Sequence, residues 1–299
     1  MIEGKNISKV FEDFEALKSV NIKVNKGSIY GLVGSNGAGK TTLIKTLVGI
    51  YRQDQGEVLI EGEKVFENVD IKRKVTFIPD ALYFFTQYSI KDMAKFYKRV
   101  YETWNEQRYE KLKEAFNIDE KKKIHKLSKG MQRQVAFWLA LSCMPELLIL
   151  DEPLDGLDPV MRQKVKNLII QDVAERQMTV LISSHNLREL EDLCDHIAIL
   201  HKGSLILEKE LDDLKSDTHK IQVAFKEVIS EEILKDVNIL YEEKRGSIRL
   251  FIVRGKKEEI IKQLNKFEPV ILDILPLTLE EIFIYEMGDV GYEIKNIIF

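Results

Sequence analysis

Residues 34 to 42 read Gly34-Ser35-Asn36-Gly37-Ala38-Gly39-Lys40-Thr41-Thr42, a G-x-x-x-x-G-K-[ST] spacing. The glycines let successive backbone amides turn inward as an anion nest. A helix starting here points its free N–H groups and positive dipole end at the same spot. The chemistry is phosphate binding: Lys40 is expected to reach the β- and γ-phosphates of a nucleotide, and the Thr41 hydroxyl to ligate Mg²⁺. A second reactive group closes the apolar run Leu147-Leu148-Ile149-Leu150 with Asp151-Glu152. Adjacent strand residues project to opposite sides, so one carboxylate can hold metal while the other meets water. Asp151 would bind Mg²⁺, directly or through water, and Glu152 would take a proton from the attacking water or at least orient it. An isolated Asp-Glu pair is more often a solvated strand end; the phosphate loop in the same chain gives this one a reaction to serve.

These groups need a strand before the loop, a helix after it and further strands alongside. Gly27 to Val33 reads as a short buried strand and Leu43 to Gly49 as an apolar helix. Leu147–Leu150 and Thr179–Ser183 are continuous apolar runs, as expected of parallel strands buried on both faces, with a helix from Val160 to Ala174 between them. Upstream, Lys5–Val10 and Val20–Val24 read as strands joined by a turn over Phe11–Lys18. Gly56–Gly62 reads as a hairpin arm, and Val75–Ile78 as a strand stopped by Pro79. Residues 89–143 show helical spacing with hardly any strand signal. They include Leu127-Ser128-Lys129-Gly130-Met131-Gln132, where Ser128 is placed as the N-cap of the apolar helix Val135–Leu141.

The α/β core closes near Leu207. A second pattern follows: strand Ile221–Phe225, helix Ser230–Val237, strands Ile239–Glu243 and Ser247–Val253 around an Arg245-Gly246 turn, helix Lys257–Phe267, strand Val270–Leu275. That β-α-β-β-α-β order predicts a small ferredoxin-like α+β domain. A further amphipathic segment runs from Thr278 to Met287, and the tail ends Ile297-Ile298-Phe299. The expected organisation is residues 1–215 as an α/β domain with a helical subdomain at about 81–145, and residues 216–299 as an accessory domain.

Composition narrows the class. Of 299 residues, 44% are hydrophobic and 31% charged, which excludes disorder as the main state. The apolar run Val135–Met144 ends at Pro145-Glu146, well short of the ~20 residues a bilayer span needs. The start, Met1-Ile2-Glu3-Gly4-Lys5-Asn6, has no basic segment followed by an apolar one, so no secretory signal is expected. Cys143 and Cys194 lack the spacing of a zinc site or disulfide framework, which fits a reducing cytosol. With 45 Lys and Arg against 49 Asp and Glu, nothing in the balance calls for nucleic acid.

Gly130 lies 21 residues before Asp151, and with the phosphate loop this spacing resembles the ATP-binding subunit of an ABC transporter. In that family an L-S-G-G-Q signature caps the γ-phosphate held by the other subunit. Leu127, Ser128 and Gly130 match, whereas Lys129 and Met131 depart from the second Gly and the Gln. Leu154-Asp155-Gly156-Leu157-Asp158 is similar to the loop that couples the two sites, with Asp158 at its acidic position. Ile182-Ser183-Ser184-His185-Asn186 is similar to the switch-histidine segment, which would place His185 against the γ-phosphate and the attacking water. His125, His196, His201 and His219 are taken as surface or core residues. Phe11 takes the place of the aromatic residue that stacks on adenine, with neighbouring Phe14 as the other possible ring. Asp80 stands where the family usually has a Gln. Its charge could see Mg²⁺, its shorter reach leaves direct contact open, and Gln87 is too far along to substitute.

The resemblance covers roughly residues 1–215. It implies a P-loop NTPase core of the ABC ATPase type, with an N-terminal antiparallel β subdomain and a helical insertion. It also implies ATP and Mg²⁺ as ligands and hydrolysis within a dimer formed with a second ATPase subunit, a copy or a relative. The partner would be a transmembrane permease, engaged through the helical insertion at the inner face of the cell membrane. Pro276-Leu277-Thr278-Leu279-Glu280-Glu281-Ile282-Phe283 resembles the ending of ATPases that serve ABC-2-type exporters. An alternative is a non-transport ABC ATPase acting on nucleic acid or the ribosome. One P-loop, no sustained heptads and no basic stripe beyond Lys121-Lys122-Lys123 weigh against it. The accessory domain could sense a ligand, or simply dimerise or dock.

Overall fold

The computed structural model describes residues 1–225 and 238–282. The helix expected over Ser230–Val237, and everything from Phe283 to the apolar tail, lie outside the described residues. The chain divides into two compact units, residues 1–208 and 209–299. The division falls at residue 208, against 215 from the sequence pattern. The reason is local: the helix Leu211–Asp217 packs on the strand Thr218–Ala224 of the second unit.

In the first unit, parallel strands form most of a six-stranded sheet. Its order is Ser204–Glu210, His196–His201, Ile29–Val33, Thr179–Ser184, Leu147–Asp151, Val75–Ile78. The three central strands are buried at every position, which is why they read as unbroken apolar runs. The register pairs Ile78 with Leu150, Leu150 with Ile182 and Leu32 with Ser183, so the ends of four strands line up along one edge. An antiparallel sheet, ordered Phe14–Val24, Ile2–Phe11, Gln55–Ile60, Glu63–Lys64, shares a core with it: Ile7, Leu17 and Ile60 pack with Leu32, Leu43 and Ile149.

The first two strands correct the sequence reading. They run to Phe11 and resume at Phe14, so the link is a turn at Glu12-Asp13, not Phe11–Lys18. Register shifts between Gly4 and Val10 break the two-residue alternation there, and this hid the strand ends from a period-two reading. The phosphate-loop helix spans Lys40–Leu47, starting three residues earlier than apolar spacing suggested.

The helical insertion comprises Ile90–Val100, Glu106–Phe116 and Lys129–Ser142, with a short 3₁₀ turn at Ile124–Lys126. Ser89 and Asp92 close a reciprocal capping box on the first helix, and Asn105 caps the second through the Arg108 amide. Trp138 is fully buried, stacked on Tyr109 at 4.9 Å, and its indole N–H donates to the Tyr109 carbonyl at 2.9 Å.

In the second unit the sheet order is Asn238–Arg245, Ile248–Arg254, Thr218–Ala224, Ile271–Leu275, with all the pairings antiparallel. In chain order that is 2-3-1-4, the ferredoxin-like arrangement the element order predicted. Its core gathers Ile221, Val223, Phe251, Val253, Ile260 and Leu264. Pro276 ends the last strand, and a helical turn starts at Leu279. The Thr278 hydroxyl accepts from the Glu281 amide while the Glu281 carboxylate accepts from the Thr278 amide. Cys143 and Cys194 are free and buried, and burial pushes both thiols up from their ordinary range.

The insertion is tied to the α/β core by one buried carboxylate. Asp172, on the helix Pro159–Arg176 and 3% exposed, accepts from Arg108 Nη2 at 2.6 Å and from Arg176 Nη2 at 3.0 Å. Removing the shared acceptor leaves two facing guanidinium groups. Asp172→Ala is therefore expected to cost about 3 kcal/mol, read as a lower urea midpoint with unchanged slope. A midpoint within error of wild type would show that the knot adds nothing net.

Candidate functional site

Four loops leave the aligned strand ends. The first is the phosphate loop. Gly39, at φ +107°, turns the chain into the helix, and a Cβ there would lie 2.8 Å from the Ala16 carbonyl oxygen, so only glycine fits without strain. The amides that follow belong to the first helical turn and have no helical carbonyl to serve. Lys40 is buried, and its ammonium donates to the carbonyls of Gly34 at 2.6 Å and Ser35 at 3.3 Å.

Asp151, 1% exposed, ends the strand Leu147–Asp151. Its Oδ2 accepts from the Thr41 hydroxyl at 2.7 Å and its Oδ1 from the Ser183 hydroxyl at 2.6 Å. The next residue, Glu152, leaves the strand in the left-handed region at φ +46°, which swings its carboxylate over the loop. Glu152 Oε1 lies 3.0 Å from Lys40 Nζ but accepts no well-aligned hydrogen bond. Glu152 Oε2 accepts from the His185 amide at 3.2 Å and sits 2.9 Å from His185 Nδ1. The side chain of Glu152 is 11% exposed and that of His185 45%, so one wall of the cluster is open to solvent.

The structure therefore brings Lys40, Thr41, Asp151, Glu152 and His185 into one group joined by hydrogen bonds and by the Lys40–Glu152 ion pair. The donor set fits a small hard cation with a polyphosphate. Thr41 Oγ1 and Asp151 Oδ2 are oxygen ligands 2.7 Å apart beside a loop of free amides, and magnesium takes one or two such ligands plus phosphate. Glu152, Asp155 and His185 also offer atoms within 4.8 Å of one another. Within that trio Glu152 already has the Lys40 ammonium 3.0 Å from its Oε1.

The other expected residues lie elsewhere in the fold. Ser128 caps the helix Lys129–Ser142 by accepting from the Met131 amide at 3.3 Å. Gly130 abuts the next loop so closely that a Cβ would sit 2.6 Å from the Gly156 carbonyl oxygen. Asp158 caps the helix Pro159–Arg176 through the Met161 amide at 3.0 Å. Phe11 is half-exposed and meets Tyr51 edge-on at 5.3 Å, just past the phosphate-loop helix. Phe14 is more exposed still, so neither ring is core. Asp80 is engaged by Arg133, whose Nη2 donates to its Oδ1 at 3.3 Å and to its carbonyl at 3.2 Å.

Sequence reasoning missed two residues. Ser183 is fully buried, donates to Asp151 and accepts from the Glu152 amide at 3.0 Å. Arg133, 9% exposed, also donates to the Glu152 carbonyl at 3.0 Å. A buried-facing hydroxyl on a strand next to the acidic strand was a usable signal for Ser183. For Arg133 only a charged residue inside an apolar helix pointed the way.

A family profile described as ABC transporter matches residues 17–155. The chain is 33% identical over 288 residues to the ABC transporter ATP-binding protein YtrB of Bacillus subtilis (strain 168), covering 96% of this chain and 98% of that protein. It is 32% identical to the bacitracin transport ATP-binding protein BcrA of Bacillus licheniformis, covering 94% of each. Among solved structures, an ATP binding subunit of an ABC transporter superposes with a TM-score of 0.67 at 27% identity, covering 72% of this chain and 92% of that one.

Ser183→Ala would leave the Glu152 amide without its acceptor and Asp151 with one donor fewer. An unfolding free energy lower by about 1–3 kcal/mol in a denaturant titration is expected. No loss would mean that the neighbouring groups re-pair.

Proposed function

The chain belongs to the family of ABC transporter ATP-binding proteins, and on that premise we propose that two protomers close around two ATP molecules to drive a separate membrane permease. The observation that carries this reading is the convergence of Lys40, Thr41, Asp151, Glu152 and His185 at the ends of adjacent parallel strands.

The amides of residues 34–42 and the Lys40 ammonium bind the phosphates, and Phe11 stacks on the base. Thr41 and Asp151 hold Mg²⁺, which when bound neutralises charge on the phosphate oxygens. Glu152 accepts the proton of the attacking water at its carboxylate, and His185, hydrogen-bonded to that carboxylate, orients it. Ser128 and Gly130, at the start of their helix, face the nucleotide of the other protomer, with Asp158 at the seam. Closure is a population shift: ATP adds contacts that exist only in the dimer, and hydrolysis removes them.

A permease contact is supported by the helical insertion. Tyr83, Phe85, Tyr88 and Phe96 are exposed beside Asp80, and Phe85 meets Tyr88 at 4.9 Å and Phe96 at 5.4 Å. A clustered exposed aromatic patch marks a protein contact. No described helix is long and apolar enough to cross a membrane, so the span is assigned to the partner and the chain to the membrane's inner face. The relative named for bacitracin transport, together with the sequence resemblance of Pro276 to Phe283, supports an exporter.

Glu152→Gln is expected to keep ATP binding, lower turnover at least ~100-fold and trap an ATP-bound dimer visible by light scattering. Near wild-type hydrolysis would remove Glu152 from its role. Ser128→Arg is expected to block ATP-induced dimerisation while nucleotide affinity of the monomer stays put. An affinity loss as steep as that of Lys40→Ala would instead place Ser128 in its own chain's site.

A further inference from the structure

The strands Val75–Ile78 and Leu147–Asp151 are hydrogen-bonded neighbours, and Ile78 stands opposite Leu150. Asp80 and Glu152 each lie two residues beyond that last shared pair. There the ladder stops: Pro79 interrupts one strand, and Glu152 turns into the left-handed region on the other. The carbonyls of Asp80 and Glu152 thus lose their strand partners at the edge where the site is built, and buried carbonyls need donors.

Arg133 supplies both. From the helix Lys129–Ser142 its guanidinium donates Nη1 to the Glu152 carbonyl at 3.0 Å. Nη2 donates to the Asp80 carbonyl at 3.2 Å and to the Asp80 carboxylate at 3.3 Å. The rigid planar fork spans two strand ends at once, which a lysine ammonium cannot reproduce. The Arg133 side chain is 10% exposed and that of Asp80 59%, so the carboxylate balances the buried charge from the solvent side.

Glu152 needs this support. A non-glycine residue at φ +46° is held against its own preference and persists only where surrounding bonds over-determine it. Its amide is held by Ser183 and its carboxylate by His185 and Lys40; its carbonyl is held by Arg133.

We infer that Arg133 is a positioning residue that fixes the Glu152 backbone, and that Asp80 acts on hydrolysis through Arg133 and not as a metal ligand. This rests on the reading of Glu152 given above. A displacement at Asp80, where the strand ends and the exposed aromatic patch begins, is thereby passed to Glu152 by one side chain. The Asp80 position then works as an ionic latch, a chemistry that a neutral amide there would not provide.

The test is ATP hydrolysis by the purified chain over a Mg²⁺ titration, with ATP affinity measured separately on the Glu152→Gln background. Arg133→Ala is expected to lower kcat at least ~10-fold, with the half-saturating Mg²⁺ and ATP affinity each within about twofold of wild type. Arg133→Lys is expected to recover only part of that loss. Asp80→Asn, a near-isosteric change at a side chain 59% exposed, is expected to keep the thermal midpoint of the fold and to lower kcat about threefold or more, again with unchanged Mg²⁺ dependence. Because the two residues act as one unit, Asp80→Asn combined with Arg133→Ala should be no slower than Arg133→Ala alone.

A rise of tenfold or more in half-saturating Mg²⁺ on Asp80→Asn would make Asp80 a metal ligand and overturn the inference. So would a double variant whose losses multiply, or wild-type kcat in Arg133→Ala. If Glu152→Gln alone leaves turnover intact, the assignment of Glu152 is what has failed. If it abolishes turnover while Arg133→Ala does not, only the latch is lost.

Discussion

A carboxylate 1% exposed is costly to bury unless its oxygens find donors, and Asp151 takes one hydroxyl from each side. Thr41 comes from the first turn of the phosphate-loop helix and Ser183 from the adjacent strand. The arrangement forces three segments, far apart in sequence, to end at the same depth. Once Asp151 is placed, the next residue has little freedom. Glu152 must leave the strand at once, and its amide falls to the same Ser183 hydroxyl that holds Asp151.

The parallel sheet makes such convergence possible. Crossover connections bring the parallel strands back in the same direction, so the loops that follow their ends share one edge. The register pairs Ile78, Leu150 and Ile182 across three strands; Asp80 and Glu152 come two residues after the first two, and His185 three residues after the last. Charge is balanced locally. Lys40 lies against Glu152 and Arg133 against Asp80, so each of these two buried cations has a carboxylate beside it.

The helical insertion stands on different physics. Its interior holds a stacked Tyr109–Trp138 pair, and one of its links to the core is Asp172, which accepts from Arg108 of the insertion and from Arg176. At the start of the insertion the rings of Phe85, Tyr88 and Phe96 are exposed and cluster together. Arg133, on the helix Lys129–Ser142, ties the insertion to the strand ends.

Much of this was legible in the chain itself. The glycine spacing before Lys40, the apolar run ending in Asp151-Glu152 and the strand-end His185 are local patterns, because phosphate binding and a buried parallel strand each impose a composition on consecutive residues. The second domain's sheet order followed from element order for the same reason. The bulged first strands did not follow, since a bulge erases the two-residue period that reveals a strand. Nor did the bonds made by Ser183 and Arg133, or the engagement of Asp80 by a guanidinium. Those depend on which side chains meet across 32 and 53 residues of separation, and burial of charge at a shared strand edge is settled only when the sheet closes.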